Sequence, residues 1–348
     1  MNTQPELGNV LVSGGAGYIG SHVAHALKGA GYAPVVIDSL VRGNLWAVAG
    51  SFRKGDVGDA DFVRAVCNEF RPVAALHFAA FIEVGESVQK PEAYFTNNRD
   101  KAKIFFDVLA EKGVRHVVFS STAAVYGEAA ETPILETQPT RPINPYGQSK
   151  LKAETYLRTV ADVNSVALRY FNVAGAQPKA GLGEAHFPET HLIPRLVLPL
   201  IGTRAEVLEA LGLKKGFTVF GTDYPTCDGT AVRDYIHVAD LADAHLRALR
   251  YLREGGGTNI FNLGSGSGFS VSEIVAAARR VLDRSDFAPG TEPRRAGDPA
   301  VLIADSRKAQ QVLGWRPQRG IEQMIGSAAA WHRSRTYTET ILAKSART

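Results

Sequence analysis

The chain has 348 residues, of which 45% are hydrophobic and 21% are charged. This composition supports a sizeable core and excludes a disordered protein. The net charge is only +4 and basic residues are interspersed with acidic ones, so no nucleic-acid surface is expected. Two cysteines, Cys67 and Cys227, exclude a disulfide framework and a cysteine-based zinc site. The polar N-terminus and the lack of a long apolar run predict a cytoplasmic protein without membrane contact.

Short apolar runs alternate with longer helical patterns through the first half of the chain. The predicted strands are Val10–Ser13, Pro34–Asp38, Ala74–Phe78, His116–Thr122 and Ser165–Phe171. The predicted helices are Tyr18–Lys28, Ala60–Phe70, Glu92–Lys112 and Tyr146–Ala161. Strands that alternate with helices of this length form βαβ units. The predicted fold class is therefore α/β, with a doubly wound parallel sheet.

The character of the sequence changes after the last of these strands. Residues 175–189 are rich in Gly and Pro and have no periodicity, which predicts a domain boundary near residue 175. Residues 176–348 are expected to form a second, smaller domain of mixed α/β structure. Within it, Arg233–Val238 and Asn259–Leu263 are predicted strands that flank a helix. We expect the segment 231–263 to pack back on the first domain.

A glycine-rich segment, Gly14-Gly-Ala-Gly17-Tyr-Ile-Gly20, lies between the first strand and the first helix. A pyrophosphate needs backbone N–H donors at a helix N-terminus, with no side chain in the way. Gly14 permits the tight turn, Gly17 the approach of the phosphates, and Gly20 the close packing of helix on strand. Asp38 ends the second strand, where a carboxylate accepts the ribose hydroxyls and repels a 2′-phosphate. Residues 1–175 are therefore predicted to be a Rossmann-type domain that binds NAD.

Three nearby features leave alternatives open. Asp56 and Val57 either contact the adenine or belong to the cap of the helix that follows. The small residues of Phe78-Ala79-Ala80 either let a cofactor lie across the sheet edge or pack against a helix. Arg42 is close to Asp38 in sequence and favours a 2′-phosphate, which is the feature that NADP adds.

Tyr146 and Lys150 are four residues apart, so they share one face of a helix. A tyrosine has a pKa of ~10, and a neighbouring ammonium or the positive nicotinamide of NAD⁺ would lower it. Thr122 is at the carboxyl end of a predicted strand, where sites on parallel sheets form. Its hydroxyl can hold the oxygen that loses or gains the proton. The three residues are predicted to be the catalytic base, its cationic helper and the orienting group.

These features together resemble the extended short-chain dehydrogenase/reductase family and, within it, the nucleotide-sugar 4-epimerases. The resemblance covers nearly the whole chain. The motifs that carry it are Gly14-Gly-Ala-Gly-Tyr-Ile-Gly-Ser-His22, His77-Phe-Ala-Ala80, Val84-Gly-Glu-Ser87, Ser120-Ser-Thr-Ala-Ala-Val-Tyr-Gly127, Asn144-Pro-Tyr-Gly-Gln-Ser-Lys150, Leu168-Arg-Tyr-Phe-Asn172, Asp228-Gly-Thr-Ala-Val-Arg-Asp-Tyr-Ile-His-Val238, Phe261-Asn-Leu-Gly264 and Arg294-Arg-Ala-Gly-Asp298. The later motifs belong to the nucleotide-sugar part of the family, so residues 176–348 are expected to bind a UDP-sugar.

The resemblance implies a role for each matched residue. Besides the residues above, it implies cofactor contacts from Tyr18, Ile19, Asn98 and Tyr170. It implies substrate contacts from Thr122, Tyr146, Asn172, His191, Leu192, Thr218, Phe220, Arg233, Arg295, Asp298 and Leu302. Arg233 and Arg295 match phosphate contacts and Asp298 a ribose contact, which suits a guanidinium fork and a carboxylate. The alternatives are a local Arg233–Asp234 ion pair and a solvated basic loop at Arg294-Arg295.

Four positions depart from the family pattern. Ile82 replaces a basic residue, which puts one cofactor contact in doubt. His191 replaces an asparagine, so a sugar or uridine contact differs. The segment Arg204–Lys215 is longer than usual and predicts an added helical turn. Leu302 stands where members restricted to glucose and galactose carry Tyr and members that accept N-acetyl sugars carry a small residue such as Cys; alternatively it packs in the core.

The resemblance implies NAD-dependent 4-epimerisation of a UDP-hexose, UDP-glucose or UDP-galactose, through a 4-keto intermediate. A 4,6-dehydratase would need an Asp-Glu pair where this chain has Ala123-Ala124. Epimerisation of a UDP-pentose or a UDP-uronate remains an alternative. So does a non-catalytic NAD-sensing regulator, although that would be expected to lose Tyr146 or Lys150.

The expected partners are the UDP-sugar and a second copy of the chain. In the homodimer, the helices Glu92–Lys112 and Tyr146–Ala161 would pair across the subunits. The nine histidines do not predict a metal site. His22 and His25 are expected to pack, and His237 and His245 have no third ligand at a suitable spacing.

Overall fold

The computed structural model describes residues 7–129, 131–214, 216–295 and 298–346. The strands are β1 (Asn9–Ser13), β2 (Ala33–Asp38), β3 (Ser51–Lys54), β4 (Ala74–His77), β5 (His116–Ser120), β6 (Asn164–Tyr170), β7 (Asn172–Ala174), β8 (Thr218–Phe220), β9 (Val232–Arg233), β10 (Tyr235–His237), β11 (Asn259–Leu263), β12 (Phe269–Ser270), β13 (Gly290–Glu292) and β14 (Val301–Leu302). The helices are α1 (Tyr18–Gly29), α2 (Ala60–Phe70), α3 (Val84–Gln89), α4 (Pro91–Tyr94), α5 (Lys101–Glu111), α6 (Pro145–Leu157), α7 (Leu192–Leu200), α8 (Ala205–Ala210), α9 (Val238–Arg253), α10 (Val271–Val281), α11 (Arg307–Leu313), α12 (Ile321–His332) and α13 (Arg335–Ser345).

Seven parallel strands form the main sheet, in the order β11-β6-β5-β4-β1-β2-β3. Val10, Leu11 and Val12 of β1 are fully buried, as a continuous apolar strand requires when helices cover both faces of a parallel sheet. The strand order reverses on either side of β1, between β2 and β4. Ligands of doubly wound sheets bind at this switch point, outside the carboxyl ends of the strands. The predicted fold class is confirmed.

Helices cover both faces of the main sheet. Val23 and Leu27 of α1 pack with Leu241 and Leu249 of α9 on one face. The other face is covered by α2, α5 and α6 through an apolar cluster that includes Phe105. Strand β11 pairs with β6 at the sheet edge, so a segment late in the sequence completes the sheet. The division of the chain at residue 175 stays a prediction.

The second half of the chain contains three small sheets, which join β7 with β10, β8 with β13, and β9 with β12 and β14. Helices α7, α10 and α12 enclose a separate apolar cluster beside them. Helix α8 supplies the helical turn expected in the inserted segment, whose last residue, Lys215, lies outside the described residues. No helix in the described ranges is long and apolar enough to cross a bilayer.

Helix α6 is shorter than predicted. It begins at Pro145, a favoured first helical position, and the Asn144 side chain caps it by accepting the Gly147 N–H at 2.8 Å. It ends at Leu157 rather than at Ala161, where the hydrogen bonds tighten to three-residue turns, from the Thr159 N–H to Tyr156 and from the Val160 N–H to Leu157.

Two other predicted elements are interrupted. The stretch predicted as one helix, Glu92–Lys112, contains a π-helical turn at Phe95–Asp100 between α4 and α5. The strand predicted at Arg233–Val238 is divided into β9 and β10 at Asp234. The division falls where the chain changes partners, since β9 pairs with β12 and β14 whereas β10 pairs with β7. The Asp234 carboxylate accepts hydrogen bonds from the N–H groups of Ser265, Gly266 and Ala304.

Candidate active site

A cavity of about 540 Å³ lies at the carboxyl ends of the central strands. Asp38 at the end of β2, Ser120 at the end of β5 and Tyr170 at the end of β6 line it. The loop before α7 and the segment around Leu302 line its other side. The cavity therefore joins the dinucleotide side of the sheet to the second half of the chain.

The glycine-rich loop has the close backbone packing that a phosphate cradle needs. Gly14 has φ +71°, and a Cβ there would lie 2.5 Å from the backbone N of Ala79. A Cβ on Gly20 would lie 2.3 Å from the carbonyl oxygen of Gly14. Gly17 is the N-cap of α1 and has no side chain to cap it, so the first N–H groups of the helix are available to an anion. The loop therefore fits the pyrophosphate of a dinucleotide.

Two backbone N–H groups fix the carboxylate of Asp38 at the end of β2. Its Oδ2 accepts the Ala16 N–H at 3.1 Å, and its Oδ1 accepts the Leu40 N–H at 2.8 Å. Burial raises the pKa of Asp38, and these two hydrogen bonds oppose the rise. Arg42 is turned to Glu83 (3.3 Å) and Glu86 (2.7 Å). Since Arg42 has carboxylate partners here, the site favours the unphosphorylated ribose of NAD.

Asp56 and Val57 line the same cavity. Asp56 accepts the Gly58 N–H through Oδ1 at 2.8 Å and pairs with Lys101 through Oδ2. The residue that caps α2 is Asp59, whose Oδ1 accepts the Phe62 N–H at 3.0 Å. The capping alternative for the Asp56-Val57 pair therefore does not apply, and the adenine contact stays a prediction.

Tyr146 and Lys150 both line the cavity from α6, and Thr122 lines it just beyond β5. Burial raises the pKa of Tyr146, while the side-chain hydrogen bond with Thr122 lowers it. Burial lowers the pKa of Lys150 to about 7, against an opposing effect of Glu154. The Lys150 Nζ lies 4.4 Å from the centroid of the Phe119 ring. The three predicted catalytic side chains are therefore brought together, with a tyrosine that needs a cation to become a base.

A buried ion pair, which was not predicted from the sequence, supports the three predicted catalytic side chains. Glu154, one helical turn after Lys150, pairs with Arg169 of β6, and both side chains are at most 4% exposed. The Glu154 Oε2 also accepts the Ser121 hydroxyl at 2.6 Å. The pair thus ties α6 to the ends of β5 and β6, which present Thr122 and the other lining hydroxyls. The sequence did contain an indication of this role, because Glu154 is four residues after Lys150 and so shares a helix face with it.

The predicted substrate side contains an internal ion pair. Arg233 pairs with Asp298, which lines the cavity, rather than with Asp234 as one alternative proposed. The Arg295 guanidinium carbon lies 4.0 Å from the centroid of the Phe220 ring. Of these side chains Asp298 lines the cavity, while the stacked Arg295 and Phe220 lie outside its lining.

The structure brings most of the predicted residues to one cavity. Those that line it are Gly14, Gly17, Tyr18, Ile19, Gly20, Asp38, Asp56, Val57, Phe78, Ala79, Ala80, Thr122, Tyr146, Lys150, Tyr170, Asn172, His191, Leu192, Asp298 and Leu302. Those outside the lining are Asn98, Thr218, Phe220, Arg233 and Arg295. Asn98 lies in the π-helical turn, where its amide bonds the backbone N–H and carbonyl of Phe81. Its direct contact with a cofactor stays a prediction.

The lining also contains residues that the sequence did not single out. They include Phe81, Glu83, Asn144, His186 and Pro194. Only Asn144 and Glu83 could have been found from the sequence alone, as a helix cap and as the residue that precedes the Val84-Gly-Glu-Ser87 motif. Phe81 and His186 reach the cavity from loops and Pro194 from the first turn of α7, and no local pattern specifies these positions.

The statistical model of the NAD dependent epimerase/dehydratase family matches residues 10–264. A UDP-glucose 4-epimerase of Streptococcus mutans is 49% identical over 333 residues, which cover 93% of this chain and 97% of that relative. The crystal structure of a UDP-glucose 4-epimerase from Brucella ovis in complex with NAD has a TM-score of 0.85 at 42% identity, covering 92% of this chain and 97% of that chain. One from Bifidobacterium longum in complex with NAD⁺ and UDP has a TM-score of 0.84 at 35% identity, covering 95% and 99%. The chain therefore belongs to the NAD-dependent epimerase/dehydratase family.

Proposed function

We propose that the protein is an NAD-dependent 4-epimerase of a UDP-hexose and interconverts UDP-glucose and UDP-galactose. The observation that carries the proposal is the meeting of Thr122, Tyr146 and Lys150 with the glycine-rich loop and Asp38 in one cavity. The names of the relatives support the substrate class, since the S. mutans protein is a UDP-glucose 4-epimerase and the B. longum structure contains NAD⁺ and UDP.

Tyr146 acts as the base and later as the acid. Thr122 holds the sugar 4-hydroxyl, and the Tyr146 phenolate takes its proton. Bound NAD⁺ supplies the redox chemistry, since it accepts a hydride from C4 and returns it to the opposite face of the ring. Tyr146 then gives the proton back to the C4 oxygen. Proton and hydride are both returned, so the sugar is inverted at C4 without net oxidation.

Lys150 and Glu154 set the charge around Tyr146. A nearby ammonium favours the phenolate and so lowers the pKa of a tyrosine. Burial disfavours that ammonium, and Glu154 opposes the effect of burial. Because Glu154 also holds Arg169, its position is fixed. Glu154 therefore favours the cationic form of Lys150, which burial alone would disfavour.

The sugar must turn over between the two transfers while the nucleotide stays anchored. Arg233, Arg295 and Asp298 are the proposed anchor for the diphosphate and the uridine ribose. Ala123 and Ala124 line the cavity next to Thr122 with small side chains. They offer no acid or base for removal of water, which argues against a 4,6-dehydratase. Epimerisation of a UDP-pentose or UDP-uronate uses the same machinery and is the second candidate.

The decisive experiment is an assay without added cofactor. Purified protein is mixed with UDP-galactose, and the formation of UDP-glucose is followed by chromatography. Denaturation of the same sample should release close to one equivalent of NAD⁺ plus NADH per chain, because a cofactor that is restored in each cycle need not leave. The absence of conversion together with retained nicotinamide would favour a sensor. Conversion only of UDP-pentoses or UDP-uronates would move the substrate to the second candidate, and release of mainly NADP would contradict the role of Asp38.

We also propose a homodimer in which α5 and α6 pair across the subunits. Ile104 of α5 is an exposed large apolar residue on this part of the surface. Ile104→Glu is expected to shift the molecular mass in light scattering from dimer towards monomer. Val312→Glu, at an exposed apolar position on α11, is the matched control and should leave the mass unchanged. A monomeric wild type would contradict the proposal.

We further propose a cytoplasmic location, which the two-cysteine composition favours.

A further inference from the structure

Two consecutive Glu-x-His sequences lie in the loop between β7 and α7. They are Glu184-Ala-His186 and Glu189-Thr-His191. One nitrogen or carboxylate oxygen from each of the four side chains lies within 4.8 Å of the other three. Glu184 and Glu189 are only 3% and 1% exposed, so this is not a solvated acidic surface. The earlier expectation of no metal-ligand set considered histidine pairs on helices and overlooked this repeat.

The atoms converge with the spacing of metal ligands. The Nδ1 atoms of His186 and His191 face each other at 3.2 Å. Glu184 Oε1 lies 2.9 Å from the Nδ1 of His186 and also contacts the Nδ1 of His191. Ligand atoms around a tetrahedral ion with bonds of ~2.0–2.1 Å lie ~3.3 Å apart. The two imidazole nitrogens and the carboxylate oxygen therefore surround one point, and this arrangement indicates a common partner at that point.

The fourth side chain has an oxygen that lacks a partner. Glu189 Oε2 is buried and has no hydrogen bond among the described residues. Its Oε1 accepts the His191 N–H at 2.9 Å and lies 3.8 Å from the Nδ1 of the same residue. Two buried carboxylates side by side therefore call for a cation between them.

We propose that Glu184, His186, Glu189 and His191 bind one divalent metal ion, Zn²⁺, in a closed four-ligand site. Two imidazole nitrogens and two carboxylate oxygens are donors that Zn²⁺ accepts in tetrahedral geometry. The dipositive ion neutralises both glutamates, supplies the missing partner of Glu189 and separates the two facing imidazoles. With all four positions filled by protein, the ion has a structural role and performs no step of the epimerisation.

The site would fix one wall of the active-site cavity. Ala185 and His186 of the first pair and His191 of the second line that cavity, and so does Leu192 directly after the second pair. The His186 ring also packs edge-on against Tyr18 beside the glycine-rich loop, with 6.1 Å between the ring centroids. Since the ion closes a loop of eight residues, it holds this wall against the helix that carries the dinucleotide loop. His191 then acts as a ligand, and its predicted contact with the sugar or uridine is replaced.

The competing arrangement has no metal. In it, a protonated His191 lies between Glu184 and Glu189. Burial disfavours this cation, but Glu184 and then Glu189 outweigh burial and raise the pKa of His191 to about 10. Thr190 donates to Glu83, and Arg195 donates to the backbone carbonyl of Glu189. Metal content distinguishes the two arrangements.

The test uses full-length protein without a histidine tag. The protein is stripped with a chelator, reloaded with Zn²⁺, passed through a desalting column and analysed for zinc by mass spectrometry. The expected result is about one Zn²⁺ per chain and a higher Tm in the reloaded sample. Reloading with Co²⁺ should give the strong visible absorption of a tetrahedral site. These readouts do not depend on epimerase activity, so they are separable from the proposed function.

Variants locate the ion. Glu189→Gln keeps the shape of the side chain, and His186→Ala removes one ligand. Loss of a residue that only supports a ligand lowers metal affinity ~10–100-fold, so each variant should lower the Zn²⁺ affinity by at least that factor. His25→Ala removes an exposed histidine from α1 and should bind as the wild type does. If His186→Ala does not fold, the near-isosteric Glu189→Gln still decides. Two results would overturn the proposal in favour of the protonated His191. The first is that the wild type retains no zinc, and the second is that the wild type and both cluster variants retain the same amount of zinc.

Discussion

Tyr146 lines the cavity, and its interaction with Thr122 only partly offsets the effect of burial on its pKa. Because only the phenolate can accept the substrate proton, Tyr146→Phe is expected to lower kcat by ~10²–10⁴-fold. Binding of UDP, measured by calorimetry, should change little. Thr122→Val should give a smaller loss, since it removes an orienting hydrogen bond and leaves the base in place.

Tyr156 provides the matched control for this change. It lies on the same helix as Tyr146, but its hydroxyl donates to Asp107 at 2.6 Å on the outer surface. Tyr156→Phe should therefore keep near-normal turnover. Equal turnover in the Tyr146 and Tyr156 variants would reject Tyr146 as the base.

Leu302 both lines the cavity and packs against the apolar cluster of Val125, Tyr126 and Ile134. The two interpretations of this position are thus compatible, because Leu302 packs in the core and also lines the cavity. A mismatch of one or two methylene groups in an apolar pocket is worth ~1–3 kcal/mol, so we expect weak activity on N-acetylated UDP-sugars. Leu302→Cys should raise the kcat/KM for the N-acetylated sugar relative to UDP-glucose, and Leu302→Tyr should lower it. An unchanged ratio in both variants would place Leu302 outside the sugar pocket.

Helix α1 permits a test of the glycine-rich loop as a unit. A Cβ at Gly20 would lie 2.3 Å from the Gly14 oxygen and 2.9 Å from the Gly15 Cα, so Gly20→Ala must push the helix away from β1. We expect this variant to lose most of its NAD and to have a lower Tm. Gly29→Ala is the control, because nothing lies within 4 Å of a Cβ at the other end of the same helix. That variant should keep its NAD, measured after denaturation, and loss of NAD from both would mean that helix stability alone controls binding.

The elements that depend on local sequence were predictable, and those that depend on distant partners were not. The apolar strand β1, the glycine-rich turn and the Asn144-Pro145 start of α6 are each specified within a few residues. The break at Asp234 is different, because the N–H groups that hold its carboxylate belong to residues some 30 and 70 positions away. The π-helical turn at Asn98 likewise depends on Phe81, which lies on another loop.

The same limit applies to the site. Spacing on one helix was enough to pair Tyr146 with Lys150, and strand ends were enough to place Asp38 and Thr122 at the same edge of the sheet. Phosphate and ribose contacts at Arg233 and Asp298 came only from the resemblance, and their mutual ion pair could not be foreseen from positions 65 residues apart. Loop residues such as His186 reach the cavity because of tertiary packing alone.

At the scale of the whole molecule, buried neutral histidines set the response to acid. Burial lowers the pKa of His22 to about 4, that of His77 to about 3 and that of His245 to about 4. In the unfolded chain a histidine has a pKa of ~6.5. Between these values the unfolded state binds more protons than the folded state, so the stability that these three histidines contribute is fully present above ~6.5 and is lost as the pH falls towards 4.

The free energy of unfolding, measured by urea titration, should therefore fall between about pH 6.5 and 5, with up to about 1.4 kcal/mol per pH unit from each such histidine. His245→Leu removes one of these groups from α9, where its Nε2 is buried without a hydrogen-bond partner in the described chain. This variant should show a shallower dependence on pH, whatever its stability at neutral pH. Leu249→Ala, a buried position on the same helix, should lower stability by a cavity effect but keep the wild-type slope. If the free energy of unfolding depends on pH equally in His245→Leu and Leu249→Ala, His245 does not contribute to the acid response. The stability lost in acid must then come from other groups.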